Sequence, residues 1–236
     1  MCKYVKHFCI FVSNNQIMAT KIKIDEHKLI SKYIETVLDH GKKPASIHKF
    51  CKELDIEEGM FYGYFGNFEK LERRIFSLFL ENSLELLAKN EDFKEFDARN
   101  KVLSLYFTFF EILTANRSYV LMALNQNGST LKNMGTLSDL RTHFKNFVKT
   151  LDIETIDFKQ ESIEKVQEKG REEFFWLQLL ITLKFWMEDS SPSFEKTDVL
   201  IEKSVQASFD AMNTQPVKSF IDLGKFIVKE RMNFKL

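Results

Sequence analysis

The residues of this chain best equipped for covalent or metal chemistry stand at spacings that give them none to do. The histidines are His7, His27, His40, His48 and His143, and no two are placed as metal ligands are placed. His40 and His48 flank a turn, where an imidazole is ordinarily solvated. Cys2, Cys9 and Cys51 form no Cys-x-x-Cys pair, so neither a disulfide framework nor a zinc site follows, and a reducing, cytoplasmic setting fits them best. There is no Gly-x-Ser-x-Gly nucleophile turn, and none of the 34 acids singles itself out as half of a catalytic pair. The glycines at 128 and 135 lack the Gly-Lys-Ser ending of a phosphate loop. No catalytic residue, metal or cofactor is expected.

The chemistry that remains is recognition. Residues 46–71 read SIHKFCKELDIEEGMFYGYFGNFEKL. Tyr62 and Tyr64 offer rings and hydroxyls two positions apart. Lys42, Lys43, Lys49 and Lys52 cluster just before them, and Lys21 and Lys23 could form a short basic arm. Ser46 and Asn67 mark helix starts whose free amides suit a phosphate.

The elements that must position these groups are two short helices and a turn. Ile47, Phe50, Cys51 and Leu54 share one apolar face over 46–54. Asp55 and Ile56 make the turn, 57–65 forms the second short helix, and Asn67 caps a long third one. Two short helices joined this way are a helix-turn-helix unit, whose second helix enters the major groove of DNA.

This stretch resembles the TetR family of one-component repressors. The matching residues are Ser46, Ile47, Phe50, Cys51, Ile56, Gly59, Phe61, Tyr62, Tyr64, Phe65, Glu69 and Leu71, and the resemblance covers about a quarter of the chain, roughly 25–85. It implies DNA contacts from Lys42, Lys43, Ser46, Lys49, Glu57, Glu58, Gly59, Met60, Tyr62, Tyr64 and Asn67. Three departures stand out. Glu57 and Glu58 replace a small polar and a basic residue, although acids also favour a helix start. Phe68 stands where the family usually carries lysine. Residues 25–72 hold seven Lys and Arg against ten Asp and Glu, a net charge of −3, where phosphate neutralisation calls for the opposite sign.

A second resemblance lies at 174–212. It looks like the paired C-terminal helices of TetR-like ligand domains, and more weakly like the lipid-binding protein of ubiquinone biosynthesis, through Trp186, Asp189, Ser191, Pro192, Phe194 and Glu195. It implies a helical hairpin that packs against its twin across a two-fold axis, with Trp186, Ile201, Val205, Ala207, Ser208 and Ala211 at the interface. Pro192 is expected at a first helical position with Ser191 as cap.

The rest of the chain reads as helices. Three prolines and eight glycines leave little to break them, and 44% hydrophobic residues suffice for a core. Helices are expected over 68–88, 100–114, 117–126, 137–151, 171–188 and 192–212, with a connection over 90–100, breaks at 127–129 and Gly170, and a terminal helix over 215–236. Phenylalanine is unusually frequent, 24 of 236, which suits a core and also an apolar pocket. Periodicity points to Phe107, Phe110, Leu121, Phe144, Phe175 and Trp176 as pocket walls.

The expected fold is therefore all-α and TetR-like. An N-terminal three-helix DNA-binding domain over 20–66 precedes an antiparallel helical effector and dimerisation domain over 67–236. Residues 1–19 are expected to be a disordered extension or a misassigned start, with Met18 a natural beginning. No run of eighteen clean apolar residues appears, so no stable membrane insertion is expected. The expected partners are a palindromic operator in double-stranded DNA, a small apolar ligand and a second copy of the chain. The alternative is a lipid or isoprenoid carrier that keeps the fold without DNA binding.

Overall fold

The computed structural model describes residues 25–125, 135–153 and 161–212, with residues 161–168 and Met212 described by their backbone alone. Expectations for the N-terminal extension, the Lys21–Lys23 arm, the break at 127–129 and the terminal helix fall outside the described residues. Among the described residues the chain is all α, with ten α-helices and no strand.

The first three helices are set by their caps. Asp25 accepts the Lys28 amide at 2.8 Å and starts α1 (Glu26–His40), which ends at Gly41 in a left-handed conformation (φ 65°) that a side chain would resist. Ser46 accepts the Lys49 amide at 3.2 Å and starts α2 (Ile47–Glu53). The turn that follows passes through Asp55 at φ 53°, one of the few non-glycine types that tolerate that region. Next comes α3 (Glu58–Tyr62), shorter than the expected 57–65. Its end is closed by the amides of Tyr64 and Phe65, which both donate to the Phe61 carbonyl. Asn67 then accepts the Lys70 amide at 2.8 Å and starts α4 (Phe68–Ala88).

The connection expected over 90–100 contains a single turn, α5 (Asp92–Glu95), and α6 (Ala98–Ala115) begins inside it because Asp97 accepts the Asn100 amide at 2.7 Å. After it come α7 (Arg117–Asn125) and α8 (Ser138–Lys149). The largest departure is α9 (Glu161–Glu188), which runs straight through Gly170. A single glycine weakens a helix by only about 1 kcal/mol, too little to end one with a long buried face beyond it. A 3₁₀ turn (Pro192–Phe194) and α10 (Glu195–Met212) complete the hairpin. Pro192 does take a first position behind Ser191, but of the 3₁₀ turn: Ser193 and Phe194 are left-handed (φ 53° and 59°), so the α-helix starts only at Glu195.

The described chain divides into two compact units, one of residues up to 79 with 111–140, the other of 80–110 with 141 onward. The first unit closes around an aromatic cluster. The Phe68 ring lies 5.3 Å from Tyr33, 5.8 Å from Phe50 and 5.5 Å from Phe61, and Phe50 meets Tyr33 and Phe61 edge-on. Edge-on and tilted ring pairs at these distances are favourable. This accounts for phenylalanine at position 68: the side chain turns into the core instead of reaching outward. In the second unit α6, α8, α9 and α10 contribute to a core that includes Tyr106, Phe109, Phe110, Phe144, Phe175 and Trp186, all buried.

Candidate nucleic-acid interface and aromatic core

The helix-turn-helix arrangement is set by what its residues bury. Phe50, Cys51, Phe61 and Phe65 are inside, while Tyr62 and Tyr64 are 52% and 48% exposed. Along α3 and the turn after it, apolar rings therefore anchor the element and the tyrosines lie exposed on its outer side. Lys42, Ser46, Lys49, Glu57, Gly59 and Asn67 are exposed as well, and Met60 is half-buried. A side chain added at Gly59 would meet nothing within 4 Å, so its surroundings are open.

Beyond the capping side chains, Lys43 and Glu58 are already engaged by other side chains. Lys43 Nζ lies 2.7 Å from Glu72 Oε2, and Glu72, buried on α4, also accepts the Tyr33 hydroxyl at 2.7 Å. Burial, followed by the Glu72 charge and hydrogen bond, pushes the Tyr33 phenol far above its ordinary range. Glu58 Oε1 lies 2.7 Å from His48 Nδ1, joining α3 to α2. Glu57 occupies the cap position of α3 without a side-chain cap bond. Burial, and behind it the Glu58 charge, raises the Cys51 thiol, leaving it a core side chain rather than a reactive one.

Of the six residues expected to line a pocket, four are buried together in the second unit. Phe144 lies 6.2 Å from Trp176 and 6.1 Å from Tyr106, Tyr106 meets Phe110 at 6.4 Å, and Phe175 packs on Phe209 at 5.7 Å. Phe107 is on the outer side of α6, and Leu121, half-buried, belongs to the first unit. The Tyr106 hydroxyl donates to the Phe175 carbonyl at 3.2 Å. Two buried donors here have no acceptor, Trp176 Nε1 and Gln178 Nε2. Such groups carry a desolvation cost until something accepts from them. Outside this core, Arg141 grips Glu173 through both carboxylate oxygens (2.7 and 2.8 Å) and Lys145 joins at 2.7 Å, fastening α8 to α9. Those hydrogen bonds hold the Glu173 carboxyl below its usual range.

The residues expected at a dimer interface divide sharply. Trp186, Ile201 and Val205 are enclosed in their own chain, with Trp186 packed on Phe110 (6.2 Å) and Phe194 (6.2 Å). Ser208 is buried too, its hydroxyl donating to the Ser204 carbonyl at 2.7 Å. Only Ala207 and Ala211 face outward. Among the described residues, the large exposed apolar side chains of this hairpin are instead Phe174, Leu177, Ile181 and Phe185 on α9 and Val199 on α10. Their spacing of three and four places the α9 residues on one stripe, a signal present in the sequence but masked by the apolar residues around the rest of the helix.

Sequence reasoning also missed the role of Asp189. Its carboxylate accepts the amide and hydroxyl of Ser191 (2.8 and 2.7 Å) and of Thr197 (3.0 and 2.6 Å), tying the α9–α10 corner together. Desolvation works against the charge, but the four hydrogen bonds prevail and hold the carboxyl well below its ordinary range.

Among the described residues no three His, Cys, Asp or Glu side chains gather as a metal site would require, and no helix is long and apolar enough to cross a membrane. No curated protein matches the chain. The family model described as "Tetracyclin repressor-like, C-terminal domain" matches residues 101–227, more than half of the sequence and all of α7 through α10. With its all-helical fold and the hairpin at 161–212, the chain belongs to the tetracyclin repressor-like family.

Proposed function

We propose that this protein is a TetR-type one-component transcriptional regulator. It binds operator DNA as a homodimer through an N-terminal domain over 20–66, and an apolar effector bound by the remainder alters that binding. The observation that carries the reading is the outward presentation of Tyr62 and Tyr64 at the end of a capped helix-turn-helix unit. Family membership through the C-terminal domain supports a regulatory rather than catalytic role, acting in the cytoplasm.

In this reading α3 enters the major groove, and Lys42, Lys49 and the α2 amides behind Ser46 hold the backbone. The second copy docks on the α9 stripe of Phe174, Leu177, Ile181 and Phe185, apolar side chains that a lone chain leaves in water. Two-fold pairing would present two recognition helices to half-sites about 34 Å apart. The effector core is the cluster of Tyr106, Phe110, Phe144, Phe175 and Trp176, where the unpartnered Trp176 Nε1 favours an apolar molecule bearing a hydrogen-bond acceptor. Effector binding shifts the dimer between two spacings of its recognition helices, by no more than its differential affinity for them.

One observation favours the carrier reading: the −3 charge of residues 25–72, with exposed Glu57 on the very helix that would face phosphate. Titration of a labelled random duplex decides between the two. Binding that weakens steeply with salt supports the regulator. No binding at low salt, together with an apolar adduct in native mass spectrometry, supports the carrier.

A further inference from the structure

Glu72 is 2% exposed, and its two oxygens are shared between Tyr33 on α1 and Lys43 in the segment before α2, each at 2.7 Å. A third donor is buried in the same unit. Tyr119 on α7 is 1% exposed, its hydroxyl is buried without a hydrogen-bond partner, and α7 packs on α1. Burial, and after it the Glu72 charge, raises the Tyr119 phenol above its ordinary range. All four residues lie in the first compact unit, yet Tyr119 alone falls within the matched C-terminal domain.

We propose that Tyr119 is a positioning residue for DNA binding: its hydroxyl takes over on Glu72 when Lys43 leaves that carboxylate for a DNA phosphate. This rests on the regulator reading. A buried carboxylate that loses its cation is left uncompensated, and that penalty opposes the transfer. A carboxylate has about four acceptor sites, so Glu72 has room for another donor. A buried phenol without an acceptor gains by the same contact. Occupation of Glu72 by Tyr119 thus lowers the cost of releasing Lys43. By reciprocity, DNA binding favours the placement of α7 that allows the contact. The effector domain and the DNA-binding head would in this way share one acceptor.

The test uses the full-length protein and a fluorescein-labelled random duplex of about three helical turns. Affinity is measured between about 50 and 200 mM salt. Tyr119→Phe should weaken binding about three- to tenfold, while leaving the melting temperature of the free protein unchanged or raised, because there the buried hydroxyl bonds nothing. The loss should vanish in a Lys43→Gln background, which has no ammonium to transfer. It should vanish equally in a Glu72→Gln background, which removes the buried charge and serves if Lys43→Gln fails to fold. An unchanged affinity in Tyr119→Phe, or the same loss in either background, overturns the proposal. Absence of wild-type binding at the lowest salt removes the regulator reading itself, and this switch with it.

Discussion

Asp189 accepts both the backbone amide and the side-chain hydroxyl of Thr197, at 3.0 and 2.6 Å, across the corner where α9 turns into α10. The same carboxylate holds Ser191, so one side chain organises a turn that contains two left-handed non-glycine residues. Asp189→Asn turns one of its acceptor atoms into a donor facing other donors. It should lower stability by about 1–2 kcal/mol at neutral pH, as loss of a helix-start acceptor does. Because the folded carboxyl is held below its ordinary range, its contribution is present above the unfolded value of about 3.9. It fades as pH falls through that value toward the depressed folded one. Denaturant melts of both proteins from neutral to acid pH should therefore converge at the acid end. A constant difference would show that the charge is irrelevant.

Glu58 is held by His48, and Glu57 is free of any cap bond. Replacing them together, Glu57→Ser and Glu58→Lys, removes two anions from the start of α3 and adds a cation. If α3 faces phosphate, affinity for a random duplex should rise, and the logarithmic salt slope should steepen by about 1 for the new phosphate contact. Anisotropy titrations measure both quantities. Equal affinity in the variant and the parent would place α3 away from the duplex.

Leu177 and Ile181 are each 56% exposed on α9, so a charge there disturbs little within the protomer. Leu177→Glu with Ile181→Glu should convert the proposed dimer to a folded monomer, because four carboxylates would be brought together at a two-fold contact. Sedimentation velocity at micromolar concentration reads the state directly, and circular dichroism verifies the helices. A dimer that survives both changes moves the interface off this stripe.

The indole nitrogen of Trp176 is buried without an acceptor. Trp176→Phe keeps an aromatic ring beside Phe144 and removes the orphan donor. The loss of packing and the removal of an unsatisfied group oppose each other, so the ligand-free protein should stay within about 1 kcal/mol of the parent. An adduct seen by native mass spectrometry in the parent should be weakened or lost in this variant. Retention of the adduct at full occupancy would assign the ligand another seat.

Helix identity and most helix starts were legible in the sequence because they depend on neighbours three or four residues away. Ser46 and Asn67 cap the helices their positions imply, Asp55 sits in the turn, and α4 spans the stretch its apolar stripe marks. Where several apolar faces compete, local spacing loses its authority. On α9, Trp186 and Ile181 are equally good hydrophobes, yet one is enclosed by Phe110 and Phe194 and the other stands in water. Gly170 carried a local penalty that the buried length of its helix outweighs.

By itself, then, the sequence determined an all-helical chain, its helix-turn-helix unit and its tetracyclin repressor-like hairpin, since propensity, capping and period act over one or two turns. Only the tertiary structure decided that Lys43 rests on Glu72, that the Phe68 ring packs on Tyr33, Phe50 and Phe61, and which face of α9 is left outward. Those outcomes depend on groups brought together from positions tens of residues apart. Burial and pairing are properties of that assembled neighbourhood and of no single segment.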